Sequence, residues 1–273
     1  MRALLASPLG FLIGLLLGAL GGGGSILAVP VLVYAAGQDP KAATSTSLLL
    51  VGTAAVVGMS AHYRVGRVRV GVGVLFGLAG VPGSIAGTAL NRGINPDVLL
   101  LGFSVLVVIA AWRMVVGCPS CTKVGEERVL AAPPKGAGEG VAVRRRIDIA
   151  KALEIVAAGS AVGFLTGLFG VGGGFIIVPA LALLLGLTMS EAIGTSLLVI
   201  AINSAVALLL RLGESTVEWR VAVPFTVTTI AGVVVGKRVH DRLNPEASLR
   251  WFAALLIAVA LATAAQAISA LAS

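Results

Sequence analysis

The sequence predicts an all-α integral membrane protein built from two homologous four-segment repeats, and three observations carry that prediction. Charge is absent from eight long stretches: residues 3–38, 42–61, 70–91 and 98–112, then 155–190, 192–210, 221–236 and 251–273 hold no Asp, Glu, Lys or Arg. Apolar residues make up 58% of the 273, and mean hydropathy is +1.03. Water-soluble domains stop at about 45–50% apolar, so a bilayer is the natural solvent. Finally, at an offset of 149 residues the last four stretches overlay the first four without a gap, an internal repeat of the kind many transporter folds show.

The first stretch, residues 3–38, could pass for a secretory signal. It is read as structural instead, because residues 155–190 reproduce it in register. At its centre stands Gly21-Gly22-Gly23-Gly24-Ser25, followed by Val29-Pro30. The second copy reads Gly170-Val171-Gly172-Gly173-Gly174, followed by Val178-Pro179. Glycine costs a helix about 1 kcal/mol per residue relative to alanine, so each run predicts a broken helix, either re-entrant or discontinuous. In lipid such a break is tolerated only where the freed backbone lines a cavity or is buried in protein. Gly14 and Gly18, with their counterparts Gly163 and Gly167, have the small-x-x-x-small spacing of close helix packing.

Later segments carry their own punctuation. Asp39-Pro40 opens the second helix of the first half, and Thr188-Met189-Ser190-Glu191 is a capping box for its counterpart. Asn95-Pro96-Asp97 and Asn244-Pro245-Glu246 each supply an N-cap, a first-turn proline and an acid at the positive end of the helix. The chain thus divides into a membrane repeat at 1–112, a basic cytoplasmic linker at 113–151 containing Arg144-Arg145-Arg146, and a second repeat at 152–273.

Orientation turns on the broken first element. If it enters and returns to one face, each half crosses three times and the halves are inverted; if it passes through, they are parallel. Inversion puts 15 of the 20 Lys and Arg inside and 5 outside, against 14 and 6 for the parallel arrangement. The inverted arrangement is the one expected under the positive-inside rule, and it keeps Lys237, Arg238, Arg242 and Arg250 inside. The net charge of +8 is read through the same rule rather than as a nucleic-acid surface.

Two facing glycine breaks would aim bare amides and helix N-termini into a shared pocket, an arrangement suited to anions. The candidate substrate-binding residues are therefore Gly22, Gly23, Gly24, Ser25, Gly172, Gly173 and Gly174. Thr46, Ser47, Thr195 and Ser196 add hydroxyls in the first turns of the second and sixth helices, and Asn203 is a polar group within an apolar run. Hydroxyls in membrane helices also bond their own upstream carbonyls, a purely structural use. His62 and Arg211, at equivalent helix ends, are expected at the membrane interface. Cys118 and Cys121 form one C-x-x-C, too few ligands for a closed metal site, and are weak candidates for a redox or metal-sensing pair.

No carboxylate lies mid-run, no Walker lysine loop is present, and no nucleophile–base pair is visible. The expectation is a secondary carrier that is not an enzyme and needs no cofactor. Its expected partners are the lipid bilayer of the cell membrane and a small anionic substrate, with a homodimer left open. A non-transporting assembly or redox component built on Cys118 and Cys121 is the alternative.

The paired glycine elements ending in Val-Pro, with Gly194-Thr195-Ser196-Leu197 and the weaker Ser45-Thr46-Ser47-Leu48 following them, resemble the TauE/SafE sulfite exporter family of membrane permeases. Ser25 stands where the second copy has its last glycine, so the two copies need not be equivalent. The resemblance covers the chain outside residues 113–151. It implies export or uptake of sulfite, thiosulfate or an organosulfonate, with export expected because an anion leaving a negative interior runs downhill.

Overall fold

The computed structural model describes residues 7–91, 93–94, 96–117, 149–169, 174–210, 219–242 and 244–271. These form ten α-helices and no strand. In the first half they are α1 (Ser7–Leu20), α2 (Ser25–Pro30), α3 (Pro40–Tyr63), α4 (Val70–Asn91) and α5 (Pro96–Gly117). The second half has α6 (Ile149–Phe169), α7 (Gly174–Leu183), α8 (Met189–Leu210), α9 (Trp219–Arg242) and α10 (Pro245–Leu271). Helix starts follow the predicted punctuation at Pro40, Pro96 and Pro245. In the capping box the Glu191 N–H reaches Thr188 Oγ1 at 3.3 Å, and the Thr188 N–H reaches Glu191 Oε2 at 3.4 Å. Among the described residues, seven segments are long and apolar enough to cross a membrane.

One of the seven, Pro8–Val33, is not a straight rod. α1 ends at Leu20, Gly21 takes φ +73°, and Gly21–Gly24 form a short 3-10 turn before α2. Gly24 then packs against the backbone of Ile13 and Leu17. Eleven residues of unbroken helix would place Gly24 about 16 Å from Ile13, so the chain has doubled back. Only glycine enters the left-handed region without a Cβ penalty, which is why the reversal sits at Gly21. A π turn, Val31–Ala35, and Gly37 at φ +71° complete the return. Gly186, the counterpart of Gly37, has φ +63°, and matching bonds close both turns: Gln38 N–H to Leu32 O at 3.1 Å and Leu187 N–H to Leu181 O at 3.2 Å.

The halves interlock by exchange. α1 packs on α9 through Gly14 against Thr229 and Gly18 against Val233; α6 packs on α4 through Gly163 against Gly80 and Gly167 against Ser84. Each contact in one half thus recurs in the other, 149 residues along. The answering face is glycine too: Gly232 and Gly236 meet α1, and Gly83 and Gly87 meet α6. In lipid, where burying apolar surface drives little association, such backbone-to-backbone approach supplies the van der Waals attraction. The four glycines Gly14, Gly18, Gly163 and Gly167 are therefore packing residues.

These contacts also fix helix directions. Along α1 and α9 the contact numbers rise together, as they do along α4 and α6, so both pairs are parallel. Gly58 meets Val233 and His62 meets His240, making α3 parallel to α9. Gly73 meets Leu198 and Gly77 meets Ile202, making α4 parallel to α8. Between α3 and α8 the order reverses, with Gly52 on Ser204 and Gly58 on Leu197. Hence α1, α3 and α9 run one way, while α4, α6 and α8 run the other. α1 and α3 share a direction only because the chain returns at Gly21.

Buried Leu17, Leu50, Ala54, Phe175, Leu181 and Leu197 belong to the core around the broken elements. Phe103 is edge-on to both Phe169 and Phe175, at centroid distances of 5.6 and 5.1 Å, and ties α5 to both arms of the second broken element. Leu78, Ile85, Val105, Ile109, Leu153, Val227 and Leu261 point outward, the expected surface for lipid contact. α5 runs on to Gly117 and α6 begins at Ile149, so helix extends a few residues into both ends of the predicted 113–151 linker.

Candidate functional site

The glycine turn of the first half lies buried at the crossing of the two broken elements. Gly22 passes so close to Gly174 that an added Cβ would overlap the Gly174 carbonyl. Gly23 faces Leu255 and Phe252 of α10, and Gly21 sits beside Ser196 and Ile193 of α8. A 3-10 turn leaves its leading N–H groups without acceptors inside the turn. The backbones of Gly22 and Gly174 thus meet directly, each close to the other's carbonyl.

The predicted hydroxyls divide into two groups. Ser25 Oγ donates to Gly22 O at 2.7 Å, Ser47 Oγ to Thr44 O at 2.7 Å and Ser196 Oγ to Ile193 O at 2.8 Å. Their protons are spent on the backbone, leaving oxygen lone pairs. Thr195 Oγ1 accepts the Arg69 N–H at 3.0 Å, which leaves its own proton available. Thr46 Oγ1 and Asn203 Oδ1 are buried with no hydrogen-bond partner among the described residues. Such groups are rare in protein interiors and mark places where water or a ligand would be accommodated. Gly172, Gly173, Cys118 and Cys121 lie outside the described residues, as does Arg211.

The structure therefore brings Gly21, Gly22, Ser25, Gly174 and Ser196 to one point. Beside it, Glu191 at the start of α8 holds Arg69 through Nε–Oε1 at 2.8 Å, fixing the loop that presents the Arg69 amide to Thr195. Among the described residues there is no group of three or more His, Cys, Asp or Glu placed to hold a metal ion.

His62 lies in the last turn of α3, the helix end its sequence position implied, but inside the bundle. Expected at the membrane interface, it is fully buried and faces His240, with ring centroids 5.6 Å apart and planes tilted by 57°. The two are 178 positions apart, and the repeat offset pairs His62 with Arg211 and His240 with Asn91, so no local pattern announced them. One signal was available: they are the chain's only two histidines.

With this geometry in view, the chain can be set beside known proteins. The family model described as "Sulfite exporter TauE/SafE" matches residues 6–263. A "Probable membrane transporter protein" of Xylella fastidiosa (strain Temecula1 / ATCC 700964) is 32% identical over 255 residues, covering 92% of this chain and 91% of its own. The "Probable membrane transporter protein YunE" of Bacillus subtilis (strain 168) is 25% identical over 249 residues, covering 88% and 87%. No solved structure gives a significant match. A match spanning nearly every described helix, with seven segments among the described residues able to cross a membrane, leads to one conclusion: this chain belongs to the TauE/SafE sulfite exporter family, as a multi-pass membrane transporter.

Proposed function

We propose that this transporter carries a small sulfur-containing anion, such as sulfite, thiosulfate or an organosulfonate, out of the cell. The observation that carries the reading is the backbone crossing of Gly22 and Gly174. Bare amides at interrupted helices donate to an anion without a fixed countercharge that would trap it. The Thr195 and Thr46 hydroxyls, neither donating to a described residue, are the further donors this reading assigns to the site. No side-chain cation enters this donor set, which suits a ligand that must leave again.

The helix directions support an inverted pair of halves, each crossing three times after its re-entrant element. The ends of α3, α5 and α9 then share one face with Arg64, Arg67, Arg69, Arg113, Lys237, Arg238 and Arg242, while Arg220 starts α9 on the other. By the positive-inside rule the first face is cytoplasmic. Exposed Trp112 and Trp251 lie toward that face and Trp219 toward the opposite one, as interfacial anchors do. An anion leaving a negative interior gains about 2.3 kcal/mol per charge per 100 mV, enough to drive export without a pump.

The test is flux of labelled thiosulfate from proteoliposomes of purified protein, with sulfite, ethanesulfonate, sulfate and acetate as competitors. Inhibition by sulfite and ethanesulfonate but not acetate is expected. Preference for acetate, or no flux of any of these anions, would overturn the substrate class.

A further inference from the structure

α10 begins at a membrane surface, because Glu246–Ala265 is one of the segments long and apolar enough to cross. Its first turns nevertheless carry two opposite charges. Glu246 and Arg250 stand four residues apart, both exposed, in the spacing and order at which an acid and a base on a helix ordinarily bond to each other. Here they do not. Neither side chain makes an ion pair or a hydrogen bond among the described residues. Both instead line a groove of about 550 Å³, whose other described residues are Asn244, Ala247, Trp251 and Ala254.

A charge in the opening turns of a span is costly to leave against hydrocarbon, so its side chain reaches for the headgroup layer. Trp251, 64% exposed beside Arg250, is the residue type that gathers at that level. Further along the same side of α10, Ala254, Ile257, Ala258 and Leu261 are all exposed and uncharged, a strip of low relief that an acyl chain can follow. The combination belongs to one half alone. At the repeat offset, Leu101 and Gly102 stand in the places of Arg250 and Trp251. The same turns of α10 carry Phe252 and Leu255, which face Gly23, so a ligand in the groove backs the helix that walls the candidate site.

We propose that this groove binds the headgroup of a zwitterionic phospholipid bearing a primary ammonium, of the phosphatidylethanolamine type. Its phosphate accepts from the Arg250 guanidinium, its ammonium donates to the Glu246 carboxylate, and Trp251 lies against the ester region. One cation and one acid that leave each other unpaired match a ligand carrying both charges and no net one. An anionic headgroup satisfies Arg250 but leaves Glu246 unanswered. A choline headgroup brings a cation to Glu246 without an N–H to donate, and so forgoes the charge-assisted bond. The proposal needs α10 to span the membrane and is independent of which anion the protein carries.

Fluorescence quenching in bilayers tests the site. The chain has 3 tryptophans, and replacing the exposed Trp112 and Trp219 by Phe leaves Trp251 as the sole emitter. Lipids brominated on an acyl chain quench it on contact. In this full-length parent protein, brominated phosphatidylethanolamine should occupy the site about two- to fivefold more strongly than brominated phosphatidylcholine, the range for one partly exposed ion pair. Brominated phosphatidylglycerol should not exceed it. Glu246→Gln and Arg250→Gln should each bring the ethanolamine-to-choline ratio to about one. Arg242→Gln, which removes an exposed cation outside the groove, should leave the ratio unchanged. A ratio of about one in the parent protein overturns the proposal without any charge variant having to fold. A preference for phosphatidylglycerol overturns it as well, reducing the groove to attraction of anions by Arg250. An ethanolamine preference that survives Glu246→Gln overturns the assignment of the ammonium to that carboxylate.

Discussion

The two broken elements occupy equivalent places yet are held by different means. The first turns at a run of four glycines that abuts Gly174, and the residues just before the turn, Gly18 and Ala19, lie beside His62 and His240. In the second, Phe169 at the end of α6 and Phe175 at the start of α7 both lie on Phe103, and Asn91 donates to Leu168 O beside the end of α6. Packing around the second is aromatic and its polar tie neutral; around the first it is bare backbone beside titratable rings. Equivalent places at the 149-residue offset are thus held by different side chains.

The sharpest way to break this contrast is at the crossing itself. Gly22→Val drives a branched side chain into the Gly174 backbone, which cannot yield as a flexible side chain would. Overpacking of well-packed interiors costs about 1–3 kcal/mol, and backbone collisions lie at the top of that range or beyond it. Loss of thiosulfate flux is expected, with thermal unfolding in detergent well below wild type. Gly77→Ala, whose added methyl meets only Ile202 at ordinary contact distance, should leave both near wild type. Wild-type flux in Gly22→Val would remove the crossing from the mechanism.

A smaller effect is expected at the start of α8, where Glu191 pairs with Arg69. Glu191 is largely buried against Arg69, whereas its counterpart in the first half is Ala42. Arg69→Met leaves a carboxylate with its capping role but no cation. Because the Arg69 side chain is itself 40% exposed, solvent screening limits the loss to about 1 kcal/mol. Thermal unfolding at low and high salt reads it: the gap between variant and wild type should narrow as salt rises.

How much of this was legible in the sequence depends on the range of the interaction. The glycine runs, Pro-led helix starts and 149-residue offset are patterns within one segment or between copies, and they located every described helix. What stayed hidden was pairing between non-equivalent positions. Nothing in the period of α3 or α9 places His62 beside His240, because their meeting is set by the exchange of α1 between halves. The hydroxyls were legible as a choice of two uses, and at Ser25, Ser47 and Ser196 the local one won, each donating to a carbonyl three residues upstream.

The turn glycines offer a cleaner test of backbone strain. Gly66 and Gly186 both have positive φ and open space where a Cβ would project. Alanine at either place costs conformational strain alone, about 1 kcal/mol. Equal losses in thermal stability for Gly66→Ala and Gly186→Ala would show that neither turn is stabilised by packing.

The smallest expected effect lies at the periphery, where α5 and α10 meet. Ser104 Oγ and Thr263 Oγ1 are 2.8 Å apart, while the positions that the offset makes equivalent, Ala253 and Met114, are apolar. One side of this helix pair is thus bridged by hydroxyls and the other by hydrocarbon contact. Interhelical hydrogen bonds in membrane proteins average only about 0.6 kcal/mol, because the alternatives in lipid also satisfy the hydroxyls. Here the alternative is already present: Thr263 Oγ1 also lies 3.0 Å from Val259 O, and its proton can turn there when Ser104 is gone. Ser104→Ala and Thr263→Val should each destabilise by less than about 1 kcal/mol, and a double-mutant cycle should return a coupling near the membrane average. A coupling several times larger would mean that the hydroxyl side of the pair, rather than the apolar side, holds α10 against the core and with it the Leu255 and Phe252 wall behind Gly23.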